Sequence, residues 1–191
     1  MPEAMIRGHV LAHTARYFLA ESDQLASRRL QAALTLELKA ALDSVVPAGW
    51  YPRARHVELL GAVVACKGNG DATLAEFMRC GAAMTIVDND FNKLLLKILT
   101  PELFLKRLAR FWLRDHRDCG SCELQALDPA ARTARVRLHG IAGYDHAGMV
   151  WLGWVRRVLE EVSGRSVDAK QTGWGWQSPG PEEIVCEIRW S

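Results

Sequence analysis

Apolar residues recur at helical spacing through the first two thirds of the chain, and the spacing changes to alternation after Gly120. From Met5 to Leu19, the residues Met5, Ile6, Val10, Leu11, Ala15, Phe18 and Leu19 fall on one helical stripe. Asp23 suits the N-cap of a second helix bearing Leu25 and Leu30. Thr35 opens a third bearing Leu36, Leu38, Ala41 and Leu42, which stops near Pro47. Trp50-Tyr51-Pro52 reads as a tight connection. Helical periodicity returns through Val57, Leu59, Leu60, Val63 and Val64 and ends at Gly68-Asn69-Gly70. The longest helical stretch starts at Asp71, with Leu74, Phe77, Met78, Ala82, Met84, Ile86 and Val87 dense enough to be covered on more than one side. Asp88-Asn89-Asp90 interrupts it, and Phe91 to Leu99 resumes it. Thr100-Pro101-Glu102 combines a capping hydroxyl, a proline at the first helical position and an acid at the positive helix end. It predicts a fresh helix with Leu103, Phe104, Leu108, Phe111 and Trp112 that ends near His116.

Beyond Gly120, Leu124 and Leu127 precede the turn Asp128-Pro129-Ala130, and Val136 and Leu138 alternate with Arg135 and Arg137, the pattern of a hairpin with one wet face. A helix from about Asp145 carries Met149, Val150, Leu152, Trp154, Val155, Val158, Leu159 and Val162 and stops at Gly164. Residues 166–171 and 184–190 predict a last hairpin around Gly173 to Pro179. The expected fold class is α+β. A helical part (1–118) packs on a small antiparallel sheet made by two C-terminal hairpins that flank a helix (119–191), and all of 1–191 forms one domain.

Composition narrows the class. With 49% hydrophobic and 24% charged residues the chain belongs with folded globular proteins rather than disordered ones. A net charge of +2 gives no chain-wide field. No apolar run approaches the roughly 18 residues of a membrane helix and no signal peptide opens the chain, so a cytoplasmic protein without a membrane span is expected. Five cysteines, Cys66, Cys80, Cys119, Cys122 and Cys186, point to reduced thiols or a metal rather than to a disulfide framework.

The Gly8 helix, Trp50-Tyr51-Pro52, Thr100-Pro101 before an aromatic-rich helix, Leu152-Gly153-Trp154 and the closing Cys186-Glu187-Ile188-Arg189-Trp190 stand in an order that resembles a family of myxobacterial proteins of about this length. That family is distantly similar to vinyl-4-reductase-type ligand-binding domains, haem-nitric-oxide-binding domains and TRAPP subunits. The resemblance implies helices packed on an antiparallel sheet, a ligand enclosed between them, a sensing or signalling role rather than catalysis, and a homodimer. In the haem-binding relatives a central helix supplies the iron-ligating histidine, and no histidine lies between Asp71 and Leu99. Haem is therefore expected to be absent. Cys80, Met78 and Met84 read as core residues rather than iron ligands.

Several constellations remain as candidates for chemistry. His116-x-x-Cys119-x-x-Cys122 has the spacing to wrap Zn²⁺, with Cys186 as the fourth ligand if the last strand lies alongside. The Cys119/Cys122 pair also admits a redox reading, although it follows a helix instead of opening one. Asp145 beside His146 admits a general-base reading, and a helix cap explains the same residues. These sites would support a metal- or cofactor-dependent enzyme as the alternative function. Arg107, Arg110, Arg114 and Arg117 lie along one helix flank and would suit a DNA-associated regulator, against the low net charge. The favoured reading is a non-enzymatic module that holds a small apolar ligand or a protein partner between helices and sheet. Its contact residues are Phe77, Met84, Phe91, Phe104 and Trp112, together with Trp174 and Trp176 of the glycine-rich loop.

Overall fold

The computed structural model describes residues 3–20, 24–68, 70–84, 99–172 and 183–191. Strand β1 (Met5–Arg7) leads into α1 (Gly8–Leu19), and α2 (Gln24–Ala33) and α3 (Leu36–Asp43) follow. Strand β2 (Trp50–Pro52) precedes α4 (Arg53–Lys67) and α5 (Asp71–Ala83). After residue 98 come α6 (Pro101–Leu105), α7 (Leu108–Asp115) and β3 (His116–Arg117). Strands β4 (Ser121–Asp128) and β5 (Thr133–His139), helix α8 (Asp145–Ser163), and strands β6 (Val167–Thr172) and β7 (Glu183–Trp190) close the chain. The α+β class and the hairpin–helix–hairpin order are as expected.

Local chemistry sets several boundaries. The Thr35 side chain accepts from Leu38 N at 3.1 Å and the Thr100 side chain from Leu103 N at 3.2 Å, so both helices start on a threonine cap. Gly164 closes α8 in the left-handed region, at φ 64°. The C-terminal sheet is antiparallel in the order β4-β5-β7-β6, with Val136 opposite Cys186 and Lys170 opposite Glu187. Its inner face, with Val136, Leu138, Ala169, Ile184, Cys186, Ile188 and Trp190, is buried against α8. Its outer face is a charged ladder in which Arg137 pairs with Glu123 and Glu183.

Three features depart from the sequence pattern. Met5–Arg7 is strand rather than the first turn of the helix, and it pairs with Trp50–Pro52 on one side and His116–Arg117 on the other to make a second sheet. Strands of two or three residues are too short for alternation to show, and only pairing partners distant in sequence create them. The first two amides of α1 find non-helical partners: Gly8 N donates to Gly49 O and His9 N to Pro47 O, both at 2.9 Å. Finally, the expected helix from Pro101 to His116 is two helices, with a break at Lys106-Arg107.

Helix α8 lies between the sheet and the helical part. At its contact with α5, a Cβ on Gly81 would overlap the Val150 carbonyl, and one on Gly153 would overlap the Met78 carbonyl. The two helices meet backbone to backbone because each carries a glycine where the other's main chain passes.

Candidate functional site

Buried polar groups collect where α1, α4, the start of α8 and β3 converge. Thr14 Oγ1 donates to Val10 O at 2.9 Å, lies 3.1 Å from His56 Nε2, and His56 Nδ1 lies 2.8 Å from the Tyr144 hydroxyl. With the Thr14 proton directed at a carbonyl, Thr14 accepts from His56 Nε2–H. Nδ1 then carries the lone pair and accepts from Tyr144. The result is a one-directional chain, Tyr144 to His56 to Thr14 to the Val10 carbonyl, which ties the first helix of the chain to the entry of α8. Burial, reinforced by His116 nearby, pulls the His56 pKa down to about 3, so its imidazole is neutral. Burial likewise drives the Tyr144 hydroxyl well above its ordinary value, and the Arg53 guanidinium sits 5.4 Å from the ring centroid.

His116 joins this group from the other side, with its ring 5.9 Å from that of Tyr144 and stacked 3.9 Å from that of Trp112. Its Nδ1 lies 3.2 Å from the Trp112 carbonyl, which can only accept, so Nδ1 holds the proton and Nε2 the lone pair. Burial lowers its pKa to about 4 against the opposing pull of Asp115, and the ring is neutral. Trp112 Nε1 donates to Gly120 O at 3.2 Å, which pins the turn between β3 and β4. Beyond Trp112, aromatic rings fill the seam between α6–α7 and α8. Trp112 meets Trp151 at 5.8 Å, Phe104 meets Phe111 at 5.5 Å, and Trp154 meets both phenylalanines at 5.7 Å.

The predicted contact residues divide. Phe104 and Trp112 are buried in this seam. Phe77 is buried on α5 between Phe18 and His146, with ring separations of 5.7 and 5.5 Å. Met84 is the half-buried residue that ends α5. Phe91, Trp174 and Trp176 lie outside the described residues, as do the Asp88-Asn89-Asp90 interruption and the Asp23 cap.

The four residues expected to hold zinc have other partners here. Among the described residues no three His, Cys, Asp or Glu side chains gather around a common point, although His116, Cys119, Cys122 and Cys186 are all described. The Cys119 Sγ lies 3.3 Å from Met5 O and 3.2 Å from Arg117 O, so it acts as a thiol donor that ties β1 to β3. Cys122 and Cys186 lie buried on the sheet, and burial pushes both thiols up to about 12. Burial also raises Cys119, to about 11, which removes the low-pKa nucleophile of a redox pair. His146 packs edge-on against Phe77, while Tyr144, one residue before the acid, supplies the hydroxyl that bonds His56. The sequence pattern offered no signal for Thr14 and His56, because they join the site from helices distant in sequence.

No family model matches the chain, and no curated protein matches it in sequence. Solved structures do match it along its length. An Fe(II) unliganded H-NOX protein mutant from K. algicida superimposes with a TM-score of 0.69 at 13% identity, covering 97% of each chain. An oxygen-binding H-NOX domain related to soluble guanylate cyclases gives 0.60 at 10% identity, covering 97% of this chain and 95% of that one. The fold is the H-NOX fold. A further match, at 0.58 and 10% identity, comes from a study of heme redox potential and protein-induced porphyrin distortion, covering 96% of this chain and 99% of that one.

These neighbours correct the expectation that haem is absent. That expectation rested on a single stretch, Asp71 to Leu99, of which residues 85–98 lie outside the described residues, whereas neighbours that share this fold are described for their heme redox potential and for heme distortion in the H-NOX family. The chain also holds an imidazole of the right kind elsewhere. His116 is neutral, oriented by a carbonyl on Nδ1 and left with its lone pair on Nε2, the arrangement of a metal-ligating histidine.

Proposed function

We propose that this chain is a sensing module that holds a planar, largely apolar ligand in the seam between α6–α7 and α8 and does not catalyse a reaction. The observation that carries the reading is the neutral, hydrogen-bonded polar group of His116, Tyr144 and His56 set against a wall of aromatic rings. Polar groups in a core cost stability, and they are arranged here at the edge of the aromatic seam where a ligand can use them. Haem is the first ligand to test, because neighbours of the same fold are described with heme. When bound, haem supplies an iron that takes up a diatomic gas. In this chain His116 would hold the iron, Trp112 would keep the imidazole plane fixed, and entry would part the Trp112–Trp151 contact.

Titration of purified protein with hemin tests this. A Soret band that sharpens as tryptophan fluorescence falls is expected, and His116→Ala should abolish it while the far-ultraviolet circular dichroism stays unchanged. No spectral change in the starting protein, or an identical band in the His116→Ala variant, overturns the reading.

A further inference from the structure

The outer side of α6–α7 is rich in exposed cations. On α7 and its N-cap, Arg107, Arg110, Leu113 and Arg114 are exposed at spacings of one and three residues, which places them along one flank, and Leu103, Lys106 and Arg117 are exposed just before and after it. Leu113 is 61% exposed and Leu103 37%, which puts two large apolar side chains among five cations. Several surface cations elsewhere meet acids: Arg55 pairs with Glu37 and Glu58, Arg79 with Glu76, Arg156 with Glu160, and Lys170 with Asp168. On this flank Arg114 does, with Asp115. Lys106, Arg107, Arg110 and Arg117 have no ion-pair partner among the described residues. Instead, Arg117 stacks 4.3 Å over the Trp50 ring, which Arg7 covers from 4.2 Å.

This arrangement works against the helix that carries it. Like charges three or four residues apart repel, as in Lys106 with Arg110 and Arg110 with Arg114, and a cation in the first turn of α7, where no acid stands, opposes the helix dipole. A protein surface built only to be wet would intersperse acids, as the outer face of the C-terminal sheet does. We infer that the α6–α7 flank is a docking surface for an acidic amphipathic segment of a partner protein. The partner's carboxylates would meet Lys106, Arg107, Arg110 and Arg117, and its apolar residues would cover Leu103 and Leu113. The two leucines favour a protein segment over nucleic acid, whose backbone offers nothing apolar to cover them, and the net charge of +2 is low for a nucleic-acid binder. The inference is independent of the ligand in the seam, since it concerns the opposite side of the same helices.

Fluorescence anisotropy with a labelled synthetic Glu/Leu amphipathic peptide of about 20 residues tests it. The probe is titrated with the full chain beside its Lys/Leu counterpart, a short DNA duplex and phosphatidylserine vesicles. Binding of the acidic peptide that weakens about tenfold as salt rises from 50 to 300 mM is expected. Arg107→Glu with Arg110→Glu should abolish it, and Leu113→Ser should weaken it several-fold at constant salt dependence. Arg156→Glu with Arg157→Glu on α8 should leave it unchanged. Failure to bind at low salt, equal loss in the α8 variant, or tighter binding to DNA or vesicles than to the acidic peptide overturns the inference.

Discussion

At the scale of single residues, the two buried imidazoles dominate the protein's response to acid. Unfolded histidine takes up a proton near pH 6.5, whereas folded His56 and His116 stay neutral to about 3 and about 4. Between these values the unfolded chain binds more protons than the folded one. Each imidazole therefore contributes stability that is complete above pH 6.5 and is lost as the pH falls, at about 1.4 kcal/mol per pH unit. Asp115 acts in a lower range. Its burial is outweighed by hydrogen bonds from Arg114 and His9, which hold it at about 2, so its contribution is lost only below about 4. Urea unfolding between pH 7.5 and 4.5 should show this decline, and His116→Gln should make it shallower. An unchanged slope in that variant would mean that His116 is not buried neutral. His56 was invisible in the sequence because its neutral state depends on Thr14 and Tyr144, which lie 42 and 88 residues away along the chain.

At the scale of elements, helix starts and stops were legible wherever local chemistry sets them: the threonine caps of α3 and α6, and the Gly164 stop of α8. The α5–α8 crossing was not, since Gly81 and Gly153 look alike in sequence to glycines that touch nothing. Gly81→Ala or Gly153→Ala forces the two backbones apart and should destabilise the protein by about 1–3 kcal/mol or more. Gly61→Ala, exposed on α4 with open space around its Cα, should instead stabilise by about 0.5–1 kcal/mol. Chemical denaturation of the three variants checks the opposite signs, and a loss at Gly61 equal to that at Gly81 would contradict the packing described. The expected zinc set belongs to this scale too. Spacing brought His116, Cys119 and Cys122 close in sequence, but β3, the turn and β4 point them to different neighbours.

At the scale of the whole molecule, α8 touches both the helical part and the C-terminal sheet, with Val150 and Trp154 against Gly81 and Gly148 against Ile184. A helix shared in this way should couple the two parts into one unfolding transition. Tryptophan fluorescence and circular dichroism should therefore report the same midpoint. Separate midpoints would show that the helical part and the sheet fold independently. The sequence by itself determined the α+β class, the helices that carry their own caps, and both C-terminal hairpins, because periodicity and turn chemistry act over a few residues. Tertiary structure alone decided the three-stranded sheet around β1, the backbone contact of α5 with α8, and the gathering of Thr14, His56, His116 and Tyr144. Each of these depends on groups far apart in the chain being brought within van der Waals or hydrogen-bonding distance, and local pattern carries no record of that distance.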